Sequence, residues 1–249
     1  MMLQNACALV TGAGQGIGKE IALALAREGC AVAVNDLYAE RASAVVAAIG
    51  AAGGKAVVAE GNVAVGDAVK SMVETTVVQL GKLDILVNNA GMILKTPFWD
   101  ITEKDWDTIM AVNLKSVFLC CQAAAPYMKA QKSGKIINIA SMLSFQGGIR
   151  VPSYTASKSG VLGITRLLAN EWAQHGINVN AIAPGYMATS NTEALRDDVE
   201  RNKAILERIP AGRWGTPDDL KGPVVFLASP ASDYINGYTI AVDGGWLAR

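Results

Sequence analysis

The stretch Thr11-Gly-Ala-Gly-Gln-Gly-Ile-Gly18 joins the apolar run Ala6–Thr11 to a helical pattern over residues 17–28. Side chains at Gly12, Gly16 and Gly18 would block a tight turn, a close ligand approach or a close helix–strand contact. The helix behind such a turn offers free N–H groups and the positive end of its dipole, which suit a pyrophosphate. A plain strand-to-helix bend would use glycine too, but the position at the first such junction points to a cofactor. A second run, Ala31–Asp36, ends in a carboxylate about twenty residues further on, where it can hold the hydroxyls of an adenosine ribose. That carboxylate would repel a 2′-phosphate, and neither Leu37 nor Gln15 offers a cation to hold one. The expected cofactor is NAD(H) rather than NADP(H).

Outward from this junction the alternation continues almost to the end of the chain. Further strand candidates are Lys55–Glu60, Asp84–Asn88, Lys135–Ala140, Asn178–Ala183 and Tyr238–Val242. They are continuously apolar, as parallel strands buried on both faces require. Helix candidates lie over 39–52, 65–80, 102–131, 152–174 and 217–228. Gly29, Gly50, Gly81, Gly134 and Gly176 mark expected helix ends. Thr102 and Thr216 mark helix starts, with Asp105 and Asp219 inside the first turn. The pattern predicts an α/β fold: a Rossmann-type, doubly wound, mostly parallel seven-stranded sheet flanked by helices on both faces. With no repeat or linker, residues 1–249 read as a single domain.

Hydrophobic residues make up 51% of the chain, enough for a deep core. The 22 Lys+Arg residues balance the 22 Asp+Glu residues and are scattered, which argues against a nucleic-acid partner. A small anionic substrate needs only one or two cations. No charged start precedes a long apolar stretch, and no apolar run reaches the ~18 residues of a membrane span, so neither a signal peptide nor a membrane partner is expected. Cys7, Cys30, Cys120 and Cys121 lack metal-ligand spacing. They read as packing residues, Cys120 and Cys121 on different sides of a helix, and free thiols suit a reducing cytoplasm. His175, before Gly176, reads as a helix-end residue, and the pairs Asp197/Asp198 and Asp218/Asp219 as solvated helix starts; no metal site is expected.

Tyr154-Thr-Ala-Ser-Lys158 lies in a helical stretch, and residues four apart share a face, so phenol and ammonium can enter one cleft. A free tyrosine, with a pKa of ~10, is a poor base at neutral pH. A neighbouring ammonium favours the phenolate. Ser141, at the end of a strand candidate, could reach the same substrate oxygen. A Tyr and a Lys four apart would more often be an ordinary helix surface; the glycine turn, Asp36 and Ser141 together make that coincidence small.

With Asn88-Asn-Ala-Gly91, Asn113 and Pro184-Gly185 added, the chain resembles the classical short-chain dehydrogenases/reductases over essentially its full length. The resemblance implies that Tyr154 is the general acid/base and that Ser141 holds the reacting oxygen. It implies that Lys158 lowers the tyrosine pKa and holds the nicotinamide ribose, while Asn113 holds a water that links Lys158 to solvent. It sets Asn62 and Val63 near adenine, Asn89, Ala90 and Gly91 along the cofactor, and Pro184, Gly185, Met187 and Thr189 around the nicotinamide. Asn62 stands where an aspartate is common, and its amide oxygen can still accept a hydrogen bond. Homotetramers are usual in the family.

Through the stretch Gly134 to Tyr154, Ala183-Pro-Gly-Tyr-Met-Ala-Thr189, Arg208-Ile-Pro-Ala-Gly-Arg-Trp214 and Asp243-Gly-Gly-Trp-Leu-Ala-Arg249, the chain from about Lys135 to Arg249 also resembles a narrower group within that family, the sugar-acid enzymes known as 2-dehydro-3-deoxy-D-gluconate 5-dehydrogenases or 2-deoxy-D-gluconate 3-dehydrogenases. Residues 1–130 look like a more generic member. The implied partner is a small-molecule sugar acid. Arg150, between Ser141 and Tyr154, could pair with its carboxylate, and Gln146 could bond a hydroxyl; an exposed loop cation is the alternative for Arg150. Trp246 to Arg249 could complete a pocket, either this chain's or a neighbouring subunit's. Alternatives are another carbonyl reductase or alcohol dehydrogenase, such as a 3-oxoacyl-thioester reductase, and a catalytically silent NAD-binding sensor, which would have no need for Ser141, Tyr154 and Lys158 together.

Overall fold

The computed structural model describes all 249 residues. Strands β1 (Cys7–Val10), β2 (Ala31–Val34), β3 (Ala56–Val58), β4 (Ile85–Asn88), β5 (Gly134–Ile139), β6 (Ile177–Pro184) and β7 (Thr239–Val242) form one sheet in the order β3-β2-β1-β4-β5-β6-β7. Every neighbouring pair is parallel, so the expected mostly parallel sheet is wholly so. Each crossover carries a helix. The sequence-predicted strands all appear with ends shifted by one or two residues: β1 to β4 and β7 are shorter than expected, β5 is displaced by one residue, and β6 is one residue longer at each end.

Successive strand residues face opposite sides, and each side has its own core. On one face Val10, Val34, Ile85 and Ile137 meet α1 (Gly16–Arg27), α2 (Ala39–Ala51) and α9 (Lys221–Ala228) through Ile21, Leu25, Val45, Ile49 and Val224. On the other, Leu9, Leu86, Ile136 and Val179 meet α3 (Gly66–Leu80), α5 (Ser116–Gln131) and α6 (Pro152–Trp172). Cys120 and Cys121 both lie in this second core, as packing residues. The helix carrying them is covered by α3 as well as by the sheet, so two adjacent positions are buried together.

The helix expected over 102–131 is divided into α4 (Glu103–Met110) and α5 by a π-turn at Ala111–Lys115. Thr102 caps α4, its hydroxyl accepting from the Asp105 N–H at 3.1 Å. Taken as one piece, Glu103–Gln131 has the length and hydropathy of a membrane span, with a mean hydropathy of 1.4 over its best window. Here Val117, Ala124 and Met128 of that helix are buried in the core.

Two expected helix-end glycines sit elsewhere: Gly50 lies inside α2 and Gly134 opens β5. Gly53 and Lys132 take the left-handed positions instead, at φ 81° and 54°. Two short helices, α7 (Glu193–Asp197) and α8 (Val199–Arg208), were not anticipated. Their sequences are too polar for a clear apolar stripe, yet Asp198 caps α8 by accepting from the Arg201 N–H. Asp197 ends α7 rather than starting a helix. A third, small cluster of Met142, Ile205, Ile209 and Trp246 fastens α8 to the C-terminal turn and to the residue after Ser141.

Candidate active site

Gly12 and Gly16 adopt left-handed conformations (φ 60° and 56°), which carry the chain from β1 into α1. A Cβ at Gly12 would fall 2.9 Å from Ala90 Cα, so the turn lies directly on the segment leaving β4. Asn89 locks the two together: its Nδ2 donates to Thr11 O (2.8 Å) and Gly12 O (3.0 Å). Thr11 Oγ1 accepts from the Asn89 and Ala90 N–H groups, each at 3.0 Å. Asn35, buried at the end of β2, accepts from the Gly12 N–H and donates to the carbonyls of Ala59 and Gly61. No side chain caps α1 at Gln15, so the first-turn N–H groups, including those of Ile17 and Gly18, are left for an outside acceptor. A pyrophosphate fits this cradle.

At the adenosine end, Asp36 is buried, and its carboxylate accepts from the Gly14 N–H (3.1 Å) and the Tyr38 N–H (3.2 Å). Its remaining lone pairs can still take ribose hydroxyls. Leu37 is exposed. Sequence inspection of the positions beside Asp36 overlooked Arg41, five residues along on α2. The Arg41 guanidinium lies 4.5 Å from the Tyr38 ring centroid, and its Cβ would be 2.6 Å from a Cβ at Gly14. The base of a cationic side chain therefore lies against the glycine turn, with its charge over Tyr38. Asn62 is exposed, with its Oδ1 taken by the Ala64 N–H (2.9 Å), and Val63 is buried in the second core.

Ser141 follows β5, while Tyr154 and Lys158 sit in the first turns of α6 and Asn113 in the π-turn. A π-turn adds one residue to a helical circuit and so re-aims its side chains, a distortion common at functional sites. The fully buried Asn113 donates to Met92 O (2.8 Å) and Ser157 Oγ (3.2 Å) and accepts from the Met92 N–H (2.9 Å). A Cβ at Gly91 would lie 3.5 Å from Asn113 Oδ1 and 3.6 Å from Lys158 Nζ, so these two groups line the same small space. Ser144, which sequence reading passed over, joins the serine turn to α6: its hydroxyl donates to Lys158 O (2.6 Å) and accepts from the Ser141 N–H (3.3 Å).

The electrostatics differ from the expectation. Burial pushes the Tyr154 phenol above its usual value, and a hydrogen bond with Ser141 pulls the other way. Burial pushes the Lys158 ammonium down to about 8. Its Nζ lies 5.8 Å from the Tyr154 ring centroid and donates to Ile139 O at 2.6 Å. For Tyr154 the upward push of burial therefore outweighs any help from the ammonium, while the same loss of water weakens the charged form of Lys158.

Pro184 ends β6, and the Gly185 N–H donates to Val242 O at 3.0 Å. Met187 is buried and pairs with Gly215, while Thr189 O accepts from Arg196. Gln146 is engaged by Arg208, whose Nη2 donates to its Oε1 at 3.2 Å. Arg150 has a left-handed backbone (φ 62°) and an exposed side chain without hydrogen bonds or ion pairs; its carbonyl accepts from the Thr96 N–H at 2.8 Å. His175 lies in the 3₁₀ turn at the far end of α6 from Tyr154.

The Lys158 titration has a measurable sign. Its pKa is about 8 in the folded chain against 10.5 for an ordinary lysine, so between these values the unfolded chain holds more protons and stability rises with pH. Relative to Lys158→Met, the parent should gain on the order of 2 kcal/mol between about pH 7 and about pH 10 in urea unfolding. A pH-independent difference would mean that the ammonium is not desolvated.

Residues 12–247 match the family described as Enoyl-(Acyl carrier protein) reductase, of the short-chain alcohol-dehydrogenase type. The chain is 57% identical to the 2-dehydro-3-deoxy-D-gluconate 5-dehydrogenase of Escherichia coli (strain K12), over 99% of this chain and 97% of that protein. It is 59% identical to the enzyme of the same name from Dickeya dadantii (strain 3937), with the same coverage. Relatives named 3-oxoacyl-[acyl-carrier-protein] reductase are more distant. A crystal structure of a putative 2-deoxy-d-gluconate 3-dehydrogenase from Agrobacterium tumefaciens with bound NADP is 52% identical and superposes with a TM-score of 0.92, covering 99% of this chain and 98% of that one. The narrower likeness thus runs the length of the chain and is not confined to its second half. The chain belongs to the short-chain dehydrogenase/reductase family of oxidoreductases.

Proposed function

We propose that the chain, acting as a single domain, interconverts a hydroxyl and a ketone on a sugar acid with a pyridine nucleotide, in the manner of the 2-dehydro-3-deoxy-D-gluconate 5-dehydrogenases it is similar to. The observation that carries the reaction is the meeting of a buried Ser141, a buried Lys158 and a half-buried Tyr154 beside the glycine cradle. When bound, the nicotinamide takes up or supplies the hydride. Tyr154 Oη takes the hydroxyl proton during oxidation and returns it during reduction, and Ser141 Oγ holds the substrate oxygen. A lysine titrating near 8 can exchange a proton at close to neutral pH, so Lys158 passes the proton on through a water held by Asn113. The cradle at Gly12 to Gly18, the segment Asn89–Gly91 and the segment Pro184–Thr189 hold the cofactor.

Asp36 favours NAD(H), whereas Arg41 offers a 2′-phosphate a counter-charge, and three solved relatives carry NADP. We infer that the balance of these two residues sets the preference, with NAD(H) ahead because Asp36 is the group whose carboxylate already touches the glycine turn. A homotetramer follows from the family resemblance. Four buried free thiols fit a reducing cytoplasm, and burial raises them all, Cys120 to about 12, which leaves them inert. A second reading, reduction of a 3-oxoacyl thioester, is supported by the more distant relatives named 3-oxoacyl-[acyl-carrier-protein] reductase, 45–46% identical to this chain.

A substrate panel followed by NADH absorbance separates the two: turnover is expected on keto sugar acids, and turnover on acyl thioesters or neutral ketones alone would overturn the proposal. Tyr154→Phe should lower kcat at least ~100-fold while NADH binding, read by fluorescence, persists. Near-normal turnover would exclude Tyr154 as acid/base. For the cofactor, Asp36→Asn should cut the NADH-to-NADPH ratio of kcat/KM by at least about tenfold. Arg41→Ala should raise that ratio, and an unchanged ratio in both variants would place discrimination elsewhere.

A further inference from the structure

Three segments distant in sequence converge on one guanidinium. Arg208 closes α8, stacks 3.9 Å over the Trp246 ring of the C-terminal turn, and donates to Gln146 Oε1 at 3.2 Å, five residues beyond Ser141. Each support is itself fastened. Ile205 and Ile209 bury one face of α8 against Met142 and Trp246. Trp246 packs edge-on against Tyr186 (4.9 Å between centroids), which follows Pro184-Gly185. Asp243 accepts from the Gly245 and Leu247 N–H groups, both at 2.9 Å, and Arg249 ties the C-terminus to Glu207 O.

So much fixing of a surface arginine is unusual when no acid balances it. None of the six ion pairs in the chain includes Arg208. Stacking and one hydrogen bond restrict the fork and leave most of its N–H groups unused, which reduces the entropy lost on meeting a planar carboxylate. The indole N–H of Trp246, buried beside it, also has no partner. Arg150, the cation nominated by sequence, is held only through its backbone.

We propose that Arg208, pre-set by Trp246 and Gln146, is the residue that binds the substrate carboxylate and so selects acids over neutral sugars. The assignment rests on the sugar-acid reading above. Gln146 then acts by positioning Arg208, in place of the direct hydroxyl contact expected from sequence.

The test compares 2-dehydro-3-deoxy-D-gluconate with its uncharged methyl ester in the parent, Arg208→Gln, Arg208→Lys and Arg150→Gln. For Arg208→Gln, KM for the acid should rise about 10- to 100-fold with kcat changed far less, since one charge-assisted pair is lost. KM for the ester and the affinity for NADH should stay at parent values, which a misfolded or loosened α8 would not allow. Arg208→Lys should recover part of the loss, and Arg150→Gln should resemble the parent. An active parent whose acid KM is untouched by Arg208→Gln, or whose acid and ester KM rise together, overturns the assignment of Arg208 alone. A parent inactive on the acid but active on other carbonyls overturns the sugar-acid reading and this proposal with it.

Discussion

A parallel pair of strands cannot be closed by a hairpin, so each strand of such a sheet must be carried back by a crossover before the next begins. All seven strands here obey that constraint and deliver their carboxyl ends to one edge. The order reverses beside β1: β2 lies on one side and β4 on the other, and the loops leaving β1 and β4 meet at that edge, tied together by Asn89. The glycine turn, Asn89 to Gly91 and the Ser141 turn are therefore neighbours because of the topology, although nearly 130 residues separate Gly12 from Ser141.

Where strands end, backbone donors and acceptors lose their ladder partners, and asparagines supply replacements. A carboxamide both donates and accepts, so one side chain can satisfy a loop N–H and a loop carbonyl together. Asn113 does this for Met92, and Asn35 for Gly12, Ala59 and Gly61. Deeper in the sheet, Asn88 donates to Asn138 (2.8 Å), and Asn138 donates to Thr165 of α6 (2.9 Å). This buried chain ties the central strands to the helix that bears Tyr154 and Lys158. Polar links of this kind are costly to break, which holds the pocket in one arrangement.

Within that pocket Lys158 is held below its usual value and Tyr154 above it by the same removal of water. Outside the pocket the charges are spread around it: Asp36 and Arg41 at one end, Arg208 at the other.

The order of elements, the parallel sheet and the glycine cradle were legible in the sequence, because apolar periodicity and a glycine-rich junction are local signals. Tyr154 and Lys158 were legible for the same reason, being one helical turn apart. The break in the long helix at Asn113 was not, since a π-turn leaves no compositional mark, and neither were the polar helices α7 and α8. Arg41 escaped because its approach to Gly14 depends on how α2 lies across the turn. Arg208 escaped because its partners, Gln146 and Trp246, lie 62 and 38 residues away along the chain. By itself, then, the sequence determined the architecture, the glycine turn and the shared helix face of Tyr154 and Lys158, all carried by local patterns. The direction of the Tyr154 shift and the pairing of Arg208 were decided only by tertiary structure, because burial and long-range contact exist only once the chain has closed on itself.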